Sequence, residues 1–133
     1  MVKRRGDVEP VTNTLMKEQE HNLQVGCVRW FRLQYPKLAP LMFAIPNGGW
    51  RNATVAAKLK AEGVRAGVPD LMLACPAGQY HGLFIEMKNG KQGRVSDSQE
   101  QMHEVLRGQF YRVEVVRTAE EFVRTVQGYL RLF

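Results

Sequence analysis

Two short segments decide the fold of this chain: Gly67-Val68-Pro69-Asp70 and Phe84-Ile85-Glu86-Met87-Lys88. The first segment leads into a strand-like run over residues 69–74, and the second ends a strand-like run over residues 80–87. The linker over residues 75–79 contains proline and glycine, which are typical of turns. Two such runs with a short linker between them predict an antiparallel hairpin. In that hairpin the aspartate of the first segment lies beside the glutamate of the second.

The residues of these segments suit the hydrolysis of a phosphodiester bond. Side chains alternate along a strand, so Glu86 and Lys88 point to one face while Ile85 and Met87 point to the other. With Asp70 beside Glu86, two carboxylates and an ammonium group share one patch. Mg²⁺ prefers oxygen ligands and keeps several waters, so two carboxylates suffice to hold it against a phosphate. The lysine can orient the attacking water and offset charge that builds on the phosphate.

Each segment also has an ordinary explanation. A Glu-x-Lys sequence on a strand is usually a solvated pair, and Pro-Asp often only begins a strand. Here the two carboxylates, Asp70 and Glu86, are sixteen residues apart, and each lies within a strand pattern. This joint occurrence favours a metal-dependent nuclease over coincidence.

The sequence before the hairpin predicts two helices and a strand. Helical spacing of apolar residues predicts a first helix over residues 15–34. A strand over residues 41–45, a tight turn over residues 46–49 and a second helix over residues 52–62 follow. Gly63 then takes the position after a helix where left-handed geometry is favoured. The residues predicted to be buried in this part are Leu23, Cys27, Trp30, Phe31 and Phe43.

The sequence after the hairpin predicts a loop, two helices and a strand. Residues 89–94 are polar with two glycines, which predicts an exposed, mobile loop. Ser96-Asp97-Ser98-Gln99 is a capping box for a helix that ends at Gly108, and a strand over residues 110–116 follows. Thr118-Ala119-Glu120-Glu121 is a second capping box that begins the final helix. One stripe of that helix is predicted to be buried: Phe122, Val126, Tyr129 and Phe133.

The order helix, strand, helix, hairpin, helix, strand, helix predicts an α/β fold with a small mixed central sheet flanked by helices. The 133 residues suit a single domain over 1–133, with residues 1–13 as a flexible basic tail.

The formal charge of +6 favours a polyanionic partner, nucleic acid first. Cys27 and Cys75 form no Cys-x-x-Cys pair, and no apolar run is long enough for a signal peptide or a membrane span. These features predict a cytoplasmic protein without a membrane partner.

The motifs together resemble a known family. Asp70 with Glu86-Met87-Lys88 matches the PD-(D/E)xK nuclease signature, and the chain resembles a virus-type replication-repair nuclease (VRR-NUC) domain from about residue 18 to residue 130. Similar proteins often have proline where this chain has Asp97, and both residues suit the first turn of a helix. The resemblance rests on Glu20, Gln24, Ile45-Pro46-Asn47-Gly48-Gly49, Glu62-Gly63-Val64, Gly67-Val68-Pro69-Asp70-Leu71, Leu83-Phe84-Ile85-Glu86-Met87-Lys88 and Ser96-Asp97-Ser98-Gln99.

The resemblance implies a restriction-endonuclease-like core and a role for each matching residue. It implies that Asp70, Glu86 and the backbone carbonyl of Met87 are metal ligands and that Lys88 is the catalytic lysine. Glu20 would approach the metal from the first helix, directly or through a water. Gln99 would contact substrate or a catalytic water. The implied cofactor is Mg²⁺, for which Mn²⁺ substitutes.

Several of these residues keep a second explanation. Gln99 stands where a capping box requires Glu or Gln, so capping and function weigh equally there. Glu20 can belong to a solvent-exposed helix face. His21, His81 and His103 show no metal-binding spacing and are predicted to lie on the surface. The residues predicted to surround the site and bind DNA are Asn47, Gly48, Arg51, Lys58, Lys60, Arg65, Lys91 and Arg94.

The leading hypothesis is a Mg²⁺-dependent DNA endonuclease. Family members that stand alone resemble Holliday-junction resolvases, so the resemblance implies branched DNA as substrate and a homodimer whose two-fold axis matches the junction. Two alternatives are an inactive DNA-binding module and a nuclease that acts on linear duplex, ends or flaps. A third is an α/β protein unrelated to nucleic acid, for which the two motifs are accidental.

Overall fold

A computed structural model describes residues 11–46, 52–91 and 93–133, and the order of elements in it is the predicted one. The predicted turn over residues 46–49 lies mostly outside the described residues, as do Asn47, Gly48 and Arg51 of the predicted DNA-binding set. The helices and strands are α1 (Val11–Gln34), β1 (Met42–Ala44), α2 (Ala53–Ala61), β2 (Leu71–Leu73), β3 (Leu83–Met87), α3 (Asp97–Gly108), β4 (Arg112–Val116) and α4 (Ala119–Leu130).

The four strands form one mixed sheet in the order β1-β2-β3-β4. The predicted hairpin is confirmed: β2 and β3 are antiparallel, with Leu71 opposite Ile85 and Leu73 opposite Leu83. β3 and β4 are parallel, because the chain crosses through α3 between them. All five residues of β3 are buried, so this strand is covered on both faces. Glu86 is therefore an interior residue and not a member of a solvent-facing row.

The hydrophobic core lies between the sheet and the helices α1 and α4. Phe31 of α1 and Phe122 and Val126 of α4 are completely buried there. A fully buried large apolar side chain contributes about 1.5–3 kcal/mol, so this layer supplies much of the stability. The hydroxyl of Tyr129 donates to the carbonyl of Cys75, which ties α4 to the segment after β2. No helix in the described part of the chain is long and apolar enough to cross a membrane.

The helix starts follow from their capping residues. Ser96 and Gln99 form the predicted reciprocal capping box at the start of α3. Thr118 accepts from the backbone of Glu121 as predicted, but the Glu121 carboxylate accepts from the N–H of Arg117 instead of that of Thr118. Glu121 therefore joins α4 to the end of β4 as well as beginning the helix.

Three aromatic residues differ from the sequence prediction. Phe43 is exposed because β1 is an edge strand and packs only one of its faces. Phe133 is 80% exposed because α4 ends at Leu130 and the helical stripe stops with it. Phe110 is outside β4, and its φ of 65° places it in the left-handed region directly after α3. At the other end of the chain, the predicted tail over 1–13 is too long, since α1 begins at Val11.

Phe110→Gly is expected to stabilise the protein by about 0.5–1 kcal/mol, because glycine adopts left-handed geometry without the steric cost of a Cβ. The Phe110 side chain is 58% exposed, so little apolar burial is lost. Thermal melting tests this prediction. Gln109→Gly is the control: Gln109 has a φ of −99°, and glycine should lower stability there. A lower melting temperature for Phe110→Gly than for the wild type would contradict the prediction.

Candidate active site

Asp70 stands immediately before β2 and binds the backbone of β3. Its Oδ2 accepts a hydrogen bond of 2.7 Å from the N–H of Met87. The ladder between β2 and β3 ends at the pair Leu71–Ile85, and Pro69 would lie opposite Met87 in the same register. The Asp70 carboxylate thus extends the ladder by one bond at the point where the backbone pairing stops. This bond fixes Asp70 beside Glu86, as the hairpin predicts.

Glu86 is 1% exposed and faces this aspartate. The pKa of Glu86 is raised to about 9, chiefly by burial and then by a hydrogen bond with Asp70 and the negative charge of Asp70, against the opposing charge of Lys88. The charge of Glu20 also acts to raise it. A buried carboxyl beside a second carboxylate is costly to ionise without a cation. Without a cation, Glu86 therefore holds its proton at neutral pH, and a bound cation would favour ionisation of both carboxyl groups.

His103 of α3 contacts the same glutamate, contrary to the prediction of a surface histidine. Its Nε2 lies 3.3 Å from Glu86 Oε1, and the residue is 3% exposed. Burial lowers the pKa of His103, and the charges of Arg107 and Lys88 lower it further, against that of Asp70. The sequence did contain a signal: counted from Gln99, residues Met102, His103 and Leu106 follow at spacings of three, four and seven, which places all four on one helix face.

Glu20 reaches this region from α1. Its Oε1 accepts a bond of 3.1 Å from the backbone N–H of Asn89, and the Asn89 side chain donates to Gln19. Asn89, which donates both bonds, directly follows Lys88. Glu20 is half-buried here instead of lying on a fully solvated helix face. The first helix is thereby joined to the end of the Glu-x-Lys strand.

The loop after β3 is held by a residue that the sequence reasoning missed. Arg117, just after β4, donates from Nη1 to the carbonyls of Gly90 and Gly93. Gly93 is buried, so the expectation of a wholly exposed loop is wrong at this position. The partners of Arg117 are backbone carbonyls more than twenty residues away, and a local sequence pattern does not predict such contacts. This bridge fixes the shape of the loop that carries Lys91 and Arg94.

Gln99 caps the start of α3, which is one of the two roles predicted for it. Its Oε1 accepts from the backbone N–H of Ser96 at 2.9 Å, as the second arm of the capping box. The start of α3 also packs against the backbone before Asp70: a Cβ on Gly67 would lie 2.3 Å from the Ser98 carbonyl oxygen. The helix start is thus in close contact with the segment that carries Asp70.

The described members of the basic set are all exposed: Lys58, Lys60, Arg65, Lys91 and Arg94. They lie in two groups, one on and after α2 and one in the loop after β3. Lys60 and Arg65 line an open groove between α2 and α3, together with Leu59 and Met102. Long, exposed basic side chains of this kind suit contact with a phosphate backbone.

A divalent cation fits the chemistry of the acidic pair. Among the described residues, no three or more His, Cys, Asp or Glu side chains are grouped so as to hold a metal; Asp70 and Glu86 are a pair. Mg²⁺ is commonly bound by one or two carboxylates while water completes its coordination. A cation between Asp70 and Glu86 would also remove the electrostatic penalty that raises the pKa of Glu86.

A mixed sheet that carries Pro-Asp before one strand and Glu-x-Lys at the end of its antiparallel neighbour defines the class of PD-(D/E)xK nucleases. The model of the VRR-NUC domain family matches residues 9–120. The chain therefore belongs to the VRR-NUC family and carries a nuclease-type domain, which implies DNA as its substrate. Both the family and the α/β fold predicted from the sequence are confirmed.

One solved structure shows the same fold over nearly the whole chain. It is described as a "VRR_NUC domain protein" and is 29% identical to this chain, with a TM-score of 0.76. The match covers 86% of this chain and 89% of the other. A comparison with curated proteins finds no significant match.

Proposed function

We propose that this chain is a Mg²⁺-dependent endodeoxyribonuclease, in which Asp70 and Glu86 bind the metal and Lys88 is the catalytic lysine. The observation that carries this proposal is the contact of two carboxylates at the end of β3, one of them buried and with its pKa raised to about 9. Perturbed carboxylates of this kind are typical of functional sites. No activated Ser, Cys or Tyr is needed, because water is the nucleophile.

The metal ligands would be the two carboxylates together with the backbone carbonyl of Met87. Glu20 would act from α1, directly or through a water. When bound, Mg²⁺ polarises a phosphoryl oxygen and lowers the pKa of a bound water. Mn²⁺ is expected to substitute. The bond from Met87 N–H to Asp70 and the contact of His103 with Glu86 hold the two carboxylates before any metal arrives.

Lys88 supplies the positive charge of the site. It immediately follows β3, its backbone N–H donates to the carbonyl of Val116, and its charge favours the ionised form of Glu86. The ammonium group can orient the attacking water and offset negative charge that builds on the phosphate. Gln99 can still contact substrate from the start of α3, although its amide oxygen serves the capping box.

The substrate in this proposal is branched DNA, and the active form is a homodimer. Resolution of a four-way junction requires two cuts related by two-fold symmetry, which two copies of one active site provide. The exposed basic residues, with Asn47, Gly48 and Arg51, would bind the phosphate backbone without reading bases. About 6 phosphate contacts would make log K fall with log salt at a slope near −5. The protein is expected to act in the cytoplasm.

Lys88→Ala tests the proposal against its alternatives. The wild type is expected to cut labelled four-way-junction DNA in Mg²⁺ but not in EDTA, and to prefer it over flap and linear duplex. Lys88→Ala should reduce cleavage about 10²–10³-fold, the effect of removing one preorganised electrostatic group. Lys37→Ala is the matched control, since Lys37 is exposed and is not part of the proposed site. It should cut as the wild type does.

Two results would change the assignment. Salt-sensitive DNA binding without cleavage of any substrate, in wild type and variant alike, would indicate an inactive DNA-binding module. Equal or better cutting of flaps, ends or linear duplex would keep the nuclease and remove the branched-DNA preference.

A further inference from the structure

His103 and Glu86 stand apart from the rest of the interior. They are the two buried polar or charged residues in the described ranges, at 3% and 1% exposure, and they contact each other. The contact joins α3 to the central strand β3 across seventeen residues of sequence. A buried polar group without a partner is costly, so a histidine at this position requires a specific reason.

The geometry gives that reason. An ionised carboxylate only accepts hydrogen bonds, so the imidazole must donate from Nε2 to Glu86 Oε1 whenever Glu86 is ionised. The distance of 3.3 Å joins His103 to one oxygen of the Glu86 carboxyl group, which also has a hydrogen bond with Asp70. Side chains that orient metal ligands in this way commonly change metal affinity or activity by 10–100-fold when they are removed.

We propose that His103 is a positioning residue that donates a hydrogen bond from Nε2 to Glu86 Oε1 and holds this carboxylate in its metal-binding orientation. The inference rests on the proposed function, because it assumes that Glu86 is a ligand. It adds that α3, whose start packs against Gly67 in the segment before Asp70, also sets the orientation of Glu86 through His103.

Three substitutions separate positioning from simple packing. His103→Leu fills similar space without a donor. His103→Gln places an amide N–H near the position of Nε2, whereas His103→Asn places it near that of Nδ1, too short to reach Glu86. If His103 only fills space, Leu should be the best tolerated of the three. If it positions Glu86, Gln should preserve metal binding and the other two should not.

The test is calorimetric titration of Mn²⁺ into the full chain and its variants. His103→Leu and His103→Asn are expected to weaken Mn²⁺ binding about 10–100-fold, and His103→Gln by less than about 5-fold. His81→Leu is the control, because His81 is an exposed histidine whose ring contacts Phe110 and Tyr111. Equal Mn²⁺ affinity in His103→Leu and wild type would overturn the inference while leaving the nuclease in place.

A second readout covers the case in which His103→Leu does not fold. Nitrogen-15 spectra of wild type in Mg²⁺ should show the Nε2–H tautomer for His103 or the doubly protonated ring. The Nδ1–H tautomer would overturn the inference, because Nε2 would then have no proton to donate. Failure of the wild type to bind Mn²⁺ and to cut DNA would instead refute the proposed function, and the inference would fall with it.

Discussion

Replacement of Glu86 by glutamine will raise the melting temperature of the protein in EDTA. The ordinary pKa of a glutamate carboxyl group is 4.5, and that of Glu86 in the folded protein is about 9, chiefly because this group is buried and also because it faces Asp70. Between these values the folded state binds one more proton than the unfolded state, so stability falls as pH rises. Glutamine carries no charge and escapes this cost. We expect a gain of about 1–3 kcal/mol at pH 7.

The same substitution will abolish cleavage. The glutamine amide can donate to Asp70 and its carbonyl can accept from His103, so the interior contacts are kept while one negative ligand is lost. Cleavage in Mg²⁺ should fall about 10³-fold or more, beyond the effect of a single neutral donor. Mg²⁺ should also raise the melting temperature of the wild type but not of Glu86→Gln, since only binding to the folded state stabilises it.

Melting curves and cleavage assays over the range from pH 5 to pH 8 check this pair of effects. The stability advantage of Glu86→Gln should grow as pH rises. Glu104→Gln is the matched control, because Glu104 is an exposed glutamate of α3 and its replacement should change neither property. An unchanged or lower melting temperature for Glu86→Gln in EDTA would contradict the view that ionisation of the buried Glu86 lowers stability. Retained cleavage would contradict the view that Glu86 is a metal ligand.

Gly67→Ala is expected to produce the largest loss of stability among Gly→Ala substitutions at the glycines that the structure describes. A Cβ at this position would lie 2.3 Å from the Ser98 carbonyl oxygen and 2.7 Å from its carbonyl carbon, and both atoms are backbone. Gly67 also has a φ of +88°, which alanine adopts only at a cost of about 1–2 kcal/mol. The start of α3 and the segment that carries Asp70 must therefore separate. We expect a loss of about 3 kcal/mol or more, together with loss of cleavage.

Gly63→Ala is the control for this prediction. Gly63 has a φ of +107°, and nothing lies within 4 Å of its added Cβ, so only the conformational cost applies. The two variants should differ in denaturant midpoint by the cost of the collision at Gly67. Equal midpoints, with cleavage retained in both, would show that α3 does not depend on close contact with Gly67.

The parts of the fold that sequence predicted are those with local causes. Capping residues at Asn52, Ser96 and Thr118 begin three of the helices where the sequence places them. The hairpin between β2 and β3 follows from two apolar runs on either side of a short linker that contains proline and glycine. Because strand pairing then fixes the register, the proximity of Asp70 and Glu86 could be predicted as well.

The parts that sequence did not predict depend on contacts between distant elements. His103 is buried because α3 packs its face against β3 at Glu86, and a helix pattern alone does not say which polar residue lies inside. Arg117 binds carbonyls of a loop that lies far away in sequence. The apolar pattern placed Phe110 at the start of a strand. In the structure this residue instead has the left-handed geometry that glycine usually adopts after a helix. In each case tertiary context overrides the local preference.

The most direct test of the account is cleavage of labelled four-way-junction DNA by wild type and Asp70→Asn, each with EDTA, Mg²⁺ or Mn²⁺. Asp70→Asn keeps an oxygen that can accept from the N–H of Met87, so the fold should survive while one of the two carboxylate ligands is lost. We predict cleavage by the wild type with either cation, none in EDTA, and none by Asp70→Asn. Cleavage in EDTA, or undiminished cleavage by Asp70→Asn, would contradict a metal site at Asp70 and Glu86.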